Sequence, residues 1–259
     1  MLSKKHVLIS GCNGGIGIEI LKLLVKNGAK ISISYHKNRD QIDNFLAENK
    51  EDAKNIQVYQ ADLTNDNDLD AMLNSVLKDQ PVDIFIHLPT HPYVHKDLMK
   101  TTWDDIQNHI DLQAKSFFNI SKRLVPDMKL KKHGILVNIL TSYVVGKPPN
   151  GVGDYVVGKY SLLGLTKSMA VALADKGIRV NAVAMGSIMS TSLREMIRED
   201  LDLHDQVKSA TPLGRIGDSD EAASAVLFLA SAEAKFITGQ ILTIDGGRTL
   251  TENIGVPAY

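Results

Sequence analysis

The chain has 259 residues, of which 44% are hydrophobic, and its formal net charge is −1. This length and apolar content suffice to bury the core of one α/β domain. The near-zero charge excludes the strongly basic surface typical of nucleic-acid-binding proteins, and the single Cys12 excludes an internal disulfide framework. No apolar run reaches membrane-spanning length and the start lacks a signal-peptide core, so we expect a soluble, cytoplasmic protein.

Short apolar segments alternate with amphipathic segments along the chain. This alternation is typical of an α/β protein with a doubly wound parallel sheet, the Rossmann fold, which binds ligands at the carboxyl ends of its strands. No linker, repeat or change of composition divides the sequence, so we predict a single domain over residues 1–259. We predict seven strands, at residues 5–10, 30–35, 55–60, 82–88, 134–140, 178–184 and 240–244.

The first predicted strand leads into a glycine-rich loop and then an amphipathic stretch. Gly11, Gly15 and Gly17 let the backbone turn sharply and approach a pyrophosphate, whose charge then lies at the N-terminus of the next helix. Such a loop is weak evidence alone. It gains weight because it opens the first βα unit of a chain that continues to alternate.

The second predicted strand is followed by Lys37 and Arg39, and no acidic residue occurs before Asp40. An acid at this place would hydrogen-bond a ribose 2′-hydroxyl and repel a 2′-phosphate, whereas basic side chains can pair with that phosphate. The pattern favours NADPH over NADH. The alternative is that both residues are solvated loop charges.

Three histidines, His87, His91 and His95, recur at every fourth residue after the fourth predicted strand. The spacing suggests a metal site, but no acidic or cysteine partner accompanies them and Pro89 interrupts the segment. Histidines in such a setting are more often surface residues. We therefore expect no metal site.

Tyr155 and Lys159 lie four residues apart, about one helical turn, and so share a helix face. An ammonium one turn away favours the phenolate of a tyrosine and lowers its pKa. The pair can then donate a proton to a carbonyl or accept one from an alcohol.

Taken together, these motifs resemble the short-chain dehydrogenase/reductase family, and within it the 3-oxoacyl-(acyl-carrier-protein) reductases. The family's glycine motif appears as Ser10 to Gly17, its adenine-contacting aspartate as Asp62, and its Tyr-x-x-x-Lys as Tyr155 and Lys159. Later landmarks at 178–183, 212–217 and 237–247 follow in the family's order. The resemblance covers nearly the whole chain, with a nucleotide-binding N-terminal half and a substrate loop at about 186–213.

The resemblance implies a catalytic site and a cofactor site. The catalytic residues would be Tyr155, Lys159 and a hydroxyl, for which we select Ser142 with Thr141 as the alternative. The cofactor would be NADPH. Its binding residues would be Ser10, Gly11, Asn13, Gly15, Ile16, Gly17, Lys37, Arg39, Asp62, Leu63, Tyr155, Lys159, Gly186 and Ile188.

The sequence departs from the family pattern at three places. The family's central-helix asparagine, which supports a water-linked proton path to the lysine, has no clear match, and either Gln113 or Asp111 could replace it in a lengthened helix. The family's Asn-Asn-Ala-Gly is replaced by His87-Leu88-Pro89-Thr90, so contacts to the adenosine half must differ. Its Pro-Gly after the sixth strand is Met185-Gly186.

The function implied is NADPH-dependent reduction of a carbonyl, with a 3-oxoacyl thioester on an acyl carrier protein as the expected substrate. Docking of the acidic carrier is expected near Lys132 and Lys176, which could equally complement helix dipoles. The resemblance also implies a homo-oligomer, a tetramer whose interfaces use helices around 102–129 and 154–176. The alternatives are an enzyme for a free ketone, sugar or steroid-like alcohol, and a cofactor-binding regulatory or scaffold protein without turnover.

Overall fold

Seven parallel strands form one sheet in the order β3-β2-β1-β4-β5-β6-β7 in the computed structural model, which describes residues 2–92 and 95–251. The prediction of seven strands is confirmed, and their ends differ by at most two residues from the predicted ones. The predicted domain includes residues 1, 93–94 and 252–259, which lie outside the described residues. The strands are β1 His6–Ser10, β2 Lys30–Tyr35, β3 Ile56–Gln60, β4 Ile84–His87, β5 Gly134–Thr141, β6 Ile178–Met185 and β7 Ile241–Ile244.

Helices cover both faces of this sheet, so the predicted doubly wound fold is confirmed. Strands β1, β4 and β5 are buried at every position because a layer of helices packs on each side. The α-helices are α1 Gly15–Lys26, α2 Asp40–Glu48, α3 Asp66–Val76, α4 Trp103–Ile110, α5 Ser116–Lys131, α6 Gly153–Leu173, α7 Thr191–Glu199, α8 Asp202–Ser209, α9 Ser219–Ala230 and α10 Arg248–Thr251.

Two apolar cores result, one on each face. Buried side chains of α1 and α9 pack against one face of the sheet. Those of α3, α5 and α6 pack against the other face. Within residues 2–92 and 95–251, no helix combines the length and apolarity that crossing a bilayer requires.

The strand order reverses at β1, which lies between β2 and β4. Such a switch point opens a crevice at the carboxyl ends of the strands, where open α/β sheets bind ligands. Ser10, the last residue of β1, lies beside Ser34 of β2 and His87 of β4. The glycine-rich loop therefore leaves the sheet at this crevice.

A continuous central helical rod runs from α4 through a π-helical turn, Asp111–Lys115, into α5. The wide turn changes the helical phase within the rod. It lies in the region where the sequence indicates a lengthened helix. A second long helix, α6, packs against α4 and this π-helical turn.

Candidate active site

Tyr155 and Lys159 occupy the first two turns of α6, and both are buried, with exposed fractions of 9% and 3%. The Lys159 Nζ lies 5.7 Å from the centroid of the Tyr155 ring. Nζ also donates a hydrogen bond of 2.9 Å to the backbone oxygen of Ile139, near the carboxyl end of β5. Burial lowers the pKa of Lys159 to about 7, because desolvation disfavours the charged amine. The pair that sequence spacing predicts is therefore assembled at the ligand-binding edge of the sheet.

The two candidate hydroxyl residues, Thr141 and Ser142, follow one another at the end of β5 and are both buried. The Thr141 Oγ1 accepts a hydrogen bond of 3.4 Å from the backbone N–H of Tyr143 and so caps the short helical turn that follows. The backbone oxygen of Ser142 accepts from Val145 and Gly146, which closes this turn. The Thr141 hydroxyl thus already has a local structural partner.

Gln113 and Asp111, the two candidates for the missing asparagine, both lie in the π-helical turn of the rod. Asp111 is half-buried and accepts a hydrogen bond of 2.8 Å from the side chain of Gln107. Gln113 is fully buried, and its Oε1 has no hydrogen-bond partner among the described residues. A Cβ built on Gly158 of α6 would lie 3.1 Å from this oxygen. Gln113, rather than Asp111, therefore faces the helix that carries Tyr155 and Lys159.

His87 is buried at the end of β4, so the expectation that the three histidines are surface residues is wrong for it. Its Nε2 lies 3.0 Å from the backbone oxygen of Gln113, and its Nδ1 lies 2.8 Å from the Ser10 Oγ. A carbonyl can only accept, so Nε2 carries the proton and Nδ1 accepts from the Ser10 hydroxyl. Burial first, and then the charge of Lys159, lowers the pKa of His87 to about 3.

The other two histidines differ from His87. His91 is partly buried, and its ring meets that of His109 edge-on, with centroids 5.6 Å apart. His95 is exposed. Among the described residues, no group of three or more His, Cys, Asp or Glu side chains could hold a metal ion.

The glycine-rich loop ends at Gly14, the N-cap of α1, which provides no side-chain cap, and no acidic residue occupies the first turn of the helix. Gly11 adopts φ +73°, a conformation that favours glycine, and a Cβ on it would lie 3.0 Å from the Pro89 nitrogen. A Cβ on Gly17 would lie 3.0 Å from the backbone of Cys12. The two glycines let this tight loop form, and the N-terminus of α1 is left suited to an anion.

The remaining residues of the predicted loop site take different positions. Asn13 is exposed, whereas Ile16 packs against the core. The Ser10 side chain is fully buried and directed at His87 rather than into the loop.

The predicted 2′-phosphate residues follow β2. Lys37 is exposed, and Arg39 is half-buried with its Nε 2.7 Å from the Asp43 carboxylate. The Arg39 guanidinium also lies 5.7 Å from the centroid of the Tyr35 ring. Both basic residues thus follow the carboxyl end of β2, and Arg39 is held by an aromatic and an acidic neighbour.

At the end of β3, the Asp62 carboxylate accepts hydrogen bonds from the backbone and hydroxyl of Thr64, which lower the pKa of Asp62. The Asp62 carboxylate also lies 3.7 Å from the His36 Nε2. This contact links the segments that follow β2 and β3. Leu63 is buried in the core next to it.

Gly186 and Ile188 follow β6. A Cβ on Gly186 would lie 2.5 Å from the Asp245 Cβ, so only glycine fits there without a shift. Ile188 is buried and forms a parallel bridge with Gly217. The predicted substrate loop at 186–213 contains α7 and α8.

This segment reaches the glycine-rich loop through Thr191, the first residue of α7. The Thr191 Oγ1 accepts hydrogen bonds from the backbone N–H of Gly15 at 3.2 Å and from the Gln41 side chain at 3.0 Å. The segment after β6 therefore lies against the N-terminus of α1.

Known proteins match this chain over nearly its whole length. A family model described as enoyl-(acyl carrier protein) reductase matches residues 11–249. The 3-oxoacyl-(acyl-carrier-protein) reductase FabG of Staphylococcus epidermidis is 33% identical over 251 residues, covering 94% of this chain and 98% of that protein. The chain belongs to the short-chain dehydrogenase/reductase family. The predicted family is confirmed, and the protein is an oxidoreductase.

Two further relatives show how broad this family is. A 3alpha-hydroxysteroid dehydrogenase of Mediterraneibacter gnavus is 32% identical over 258 residues, covering 95% of this chain and 97% of that protein. The solved structure of ElxO with NADP bound has a TM-score of 0.86 at 28% identity, covering 95% of this chain and 98% of that one.

The amino-acid sequence of this short-chain dehydrogenase/reductase predicts no role for His109 or Thr191, both of which contact predicted site residues. His109 is 5% exposed, and its ring meets that of Tyr155 edge-on at 5.9 Å. The signal for His109 is its position four residues before Gln113, on the same helix face. Thr191 gives no comparable signal, because its contact to Gly15 spans 176 residues.

The two lysines predicted to dock a carrier lie together, but not beside Tyr155. Lys132 precedes β5 and Lys176 precedes β6, so both are exposed at the amino ends of these strands. Lys132 adopts a left-handed conformation at the end of α5, and Lys176 pairs with Asp175. Within one chain, this edge of the sheet is opposite the edge that carries the active site.

The buried amine of Lys159 makes a measurable prediction about stability. The unfolded chain keeps the Lys159 proton up to its ordinary pKa of 10.5, whereas the folded protein releases it near a pKa of about 7. Between these values the unfolded state binds more protons, so stability rises with pH. We therefore compare the free energies of unfolding of wild type and Lys159→Met. The wild-type value minus the variant's should increase with pH, by up to ~1.4 kcal/mol per pH unit.

Denaturant unfolding at about pH 7.5 and 9.5 measures this difference. The exposed Lys78→Met serves as the control, for which the difference from wild type should stay constant. A Lys159→Met difference that is also constant across this range would show that the amine is not desolvated.

Proposed function

We propose that this protein is an NADPH-dependent reductase that converts a carbonyl to an alcohol. The observation that carries the proposal is the buried Lys159 amine, 5.7 Å from the Tyr155 ring centroid at the carboxyl edge of the sheet. NADPH supplies the hydride when bound. Tyr155 then donates the proton to the carbonyl oxygen, and Lys159 favours this transfer through its charge.

Ser142 is proposed as the hydroxyl that orients the substrate oxygen. The support is that Thr141, the alternative, caps the turn after β5 with its own hydroxyl oxygen. Gln113 is proposed to replace the family's asparagine, because its Oε1 is buried, has no partner among the described residues and faces Gly158, whereas Asp111 is engaged by Gln107.

The cofactor fits the residues present. Gly14 provides no side-chain cap and the first turn of α1 holds no acidic residue, so the N–H groups of this turn other than that of Gly15, which donates to Thr191, suit a pyrophosphate. Lys37 and Arg39 would hold a 2′-phosphate at the end of β2. A relative of known structure, ElxO, has NADP bound.

We propose a 3-oxoacyl thioester on an acyl carrier protein as the substrate, in fatty-acid or polyketide-type metabolism. The support is the 33% identity with a 3-oxoacyl-(acyl-carrier-protein) reductase over nearly the full length of both chains. A free ketone or steroid-like alcohol is the second candidate, because a 3alpha-hydroxysteroid dehydrogenase is 32% identical over a similar length. The complete Tyr155–Lys159 arrangement argues against a regulatory or scaffold protein without turnover.

NADPH consumption with a panel of carbonyl compounds tests this function. Wild type should reduce an acetoacetyl thioester faster than a generic diketone, and Tyr155→Phe should bind NADPH normally but lose at least ~10²-fold in turnover, since a positioned general acid is removed. Faster turnover of the diketone would favour the free-ketone candidate. Turnover of Tyr155→Phe within a few-fold of wild type would contradict the catalytic assignment.

Cofactor choice should depend on the two basic residues after β2. Replacing Lys37 and Arg39 by alanine should raise the KM for NADPH much more than that for NADH, because only NADPH loses phosphate contacts. Steady-state kinetics with both cofactors measures this. Equal changes in the two KM values, or an NADH preference in wild type, would mean that these are ordinary surface charges.

We also propose that the protein is a homo-oligomer. The central rod and α6 expose several large apolar side chains, at Trp103, Phe118, Val157, Tyr160 and Val171, which a second copy would cover.

Oligomer formation would affect carrier docking, because Lys132 and Lys176 lie opposite the active-site edge of their own chain. A carrier bound to this pair would have to deliver its acyl group to the site of a neighbouring copy.

The docking proposal predicts a substrate-dependent loss. Lys132→Glu combined with Lys176→Glu should lower kcat/KM for a carrier-bound 3-oxoacyl substrate by ~10-fold or more at low salt, since exposed charges steer an acidic partner. A short free thioester should be almost unaffected, and added salt should shrink the difference. If both substrates lose activity equally, or neither does, the pair has no docking role.

A further inference from the structure

His109 and Gln113 stand one turn apart on the inner face of the rod, and each touches the active-site part of α6. A Cβ on Gly158 would lie 2.9 Å from the His109 Cβ and 3.1 Å from the Gln113 Oε1. His109 also meets the Tyr155 ring edge-on, and its Nε2 lies 3.8 Å from the Asp154 carboxylate. These two side chains are therefore in direct contact with the helix that carries Tyr155 and Lys159.

The hydrogen bonds of the Gln113 amide fix which of its two ends faces α6. Its Nε2 lies 3.3 Å from the His109 Nδ1 and 3.4 Å from the Thr90 Oγ1. The hydroxyl of Thr90 donates its own hydrogen to the backbone oxygen of His91, so toward Gln113 it can only accept. An amide nitrogen only donates, so the His109 Nδ1 must also accept.

Two acceptors thus hold the two hydrogens of the amide nitrogen, and Oε1 is left on the opposite side, toward Gly158. This oxygen is buried without a partner among the described residues, which is unfavourable unless a donor is supplied. A rotated amide would place Oε1 against two acceptors and its N–H groups toward α6. The Asp154 carboxylate lies 3.8 Å from the His109 Nε2 and favours the proton on that nitrogen, so Nδ1 has no hydrogen to donate to a rotated Oε1.

We propose that His109 is a positioning residue: as a neutral acceptor it orients the Gln113 amide so that Oε1 is presented as a hydrogen-bond acceptor beside the Tyr155–Lys159 face of α6. There Oε1 accepts from a water on the proton path to Lys159. The inference rests on the proposed function, in which Gln113 replaces the family's asparagine. It adds that the orientation of Gln113 depends on the charge state of a second residue.

The charged groups around His109 influence its pKa, and so the pH range in which its Nδ1 accepts a hydrogen bond. Asp154 and Lys159 face it from α6, His91 from the loop after β4, and Asp105 from α4 itself. Burial is the largest influence and lowers the pKa of His109 below its ordinary 6.5, although Asp154 opposes this. At neutral pH His109 is therefore an acceptor at Nδ1, and acid converts that nitrogen to a donor and releases the amide.

Two substitutions of His109 separate positioning from packing. His109→Phe keeps a ring against Tyr155 but removes the acceptor, and should lower kcat by ~10-fold with little change in the KM for NADPH. His109→Asn offers an amide oxygen close to the place of Nδ1 and cannot titrate. It should recover most of the lost kcat. It should also lack the decline in kcat that we expect wild type to show when acid protonates His109.

A double-mutant cycle shows whether His109 acts through Gln113. Gln113→Leu should lower kcat as much as His109→Phe, and the double variant should lose no more than either single one. Gln107→Leu on the same helix breaks the hydrogen bond to Asp111 and serves as the control, with an unchanged pH profile. Multiplicative losses in the double variant, or equal losses in His109→Phe and His109→Asn, would overturn the proposal.

A measurement without turnover keeps this inference separate from the proposed function. ¹⁵N NMR of the imidazole at neutral pH should show His109 Nδ1 as an unprotonated acceptor whose resonance shifts in Gln113→Leu. A protonated Nδ1 would overturn the inference even in an active enzyme. Failure of wild type to reduce any carbonyl would instead contradict the proposed function, and the NMR result would still decide the role of His109.

Discussion

The close approach of α6 to the central rod at Gly158 is the constraint on which the site depends. A side chain at this position would collide with His109 and approach Gln113 to 3.1 Å, so the absence of a Cβ is what allows contact. The same helix carries Tyr155 three residues before Gly158 and Lys159 directly after it. The contact between the two helices therefore lies within the same turn of α6 that carries Tyr155 and Lys159.

That packing places a charge where charges are costly. The Lys159 amine is buried and donates a hydrogen bond to the Ile139 oxygen. Burial of His87 and the nearby charge of Lys159 keep that histidine neutral, and its ring joins β1 to the rod through Ser10 and the backbone carbonyl of Gln113. The backbone carbonyl of Gln113 is thus held by His87, and its side-chain amide nitrogen is held by His109 and Thr90. Residues that replace family motifs in this chain form a connected polar layer beneath the active site.

Much of this could be predicted from the sequence because it depends on local pattern. Apolar periodicity located the seven strands, and the four-residue spacing placed Tyr155 and Lys159 on one face. The contacts of His87, His109 and Thr191 could not be predicted, since each joins segments distant in the chain. Likewise, Thr141 is distinguished from Ser142 only by the hydrogen bond that its hydroxyl accepts in the structure. Only the strand directions show that Lys132 and Lys176 lie at the edge of the sheet opposite the active site.

The most direct test of the account is a crystal structure of the protein with NADPH and an unreactive substrate analogue. The account predicts that the analogue's carbonyl oxygen accepts hydrogen bonds from the Tyr155 hydroxyl and the Ser142 hydroxyl. It also predicts that the Gln113 Oε1 faces an ordered water next to Lys159. A carbonyl oxygen bound away from Tyr155, or a Gln113 amide with its nitrogen toward α6, would contradict it.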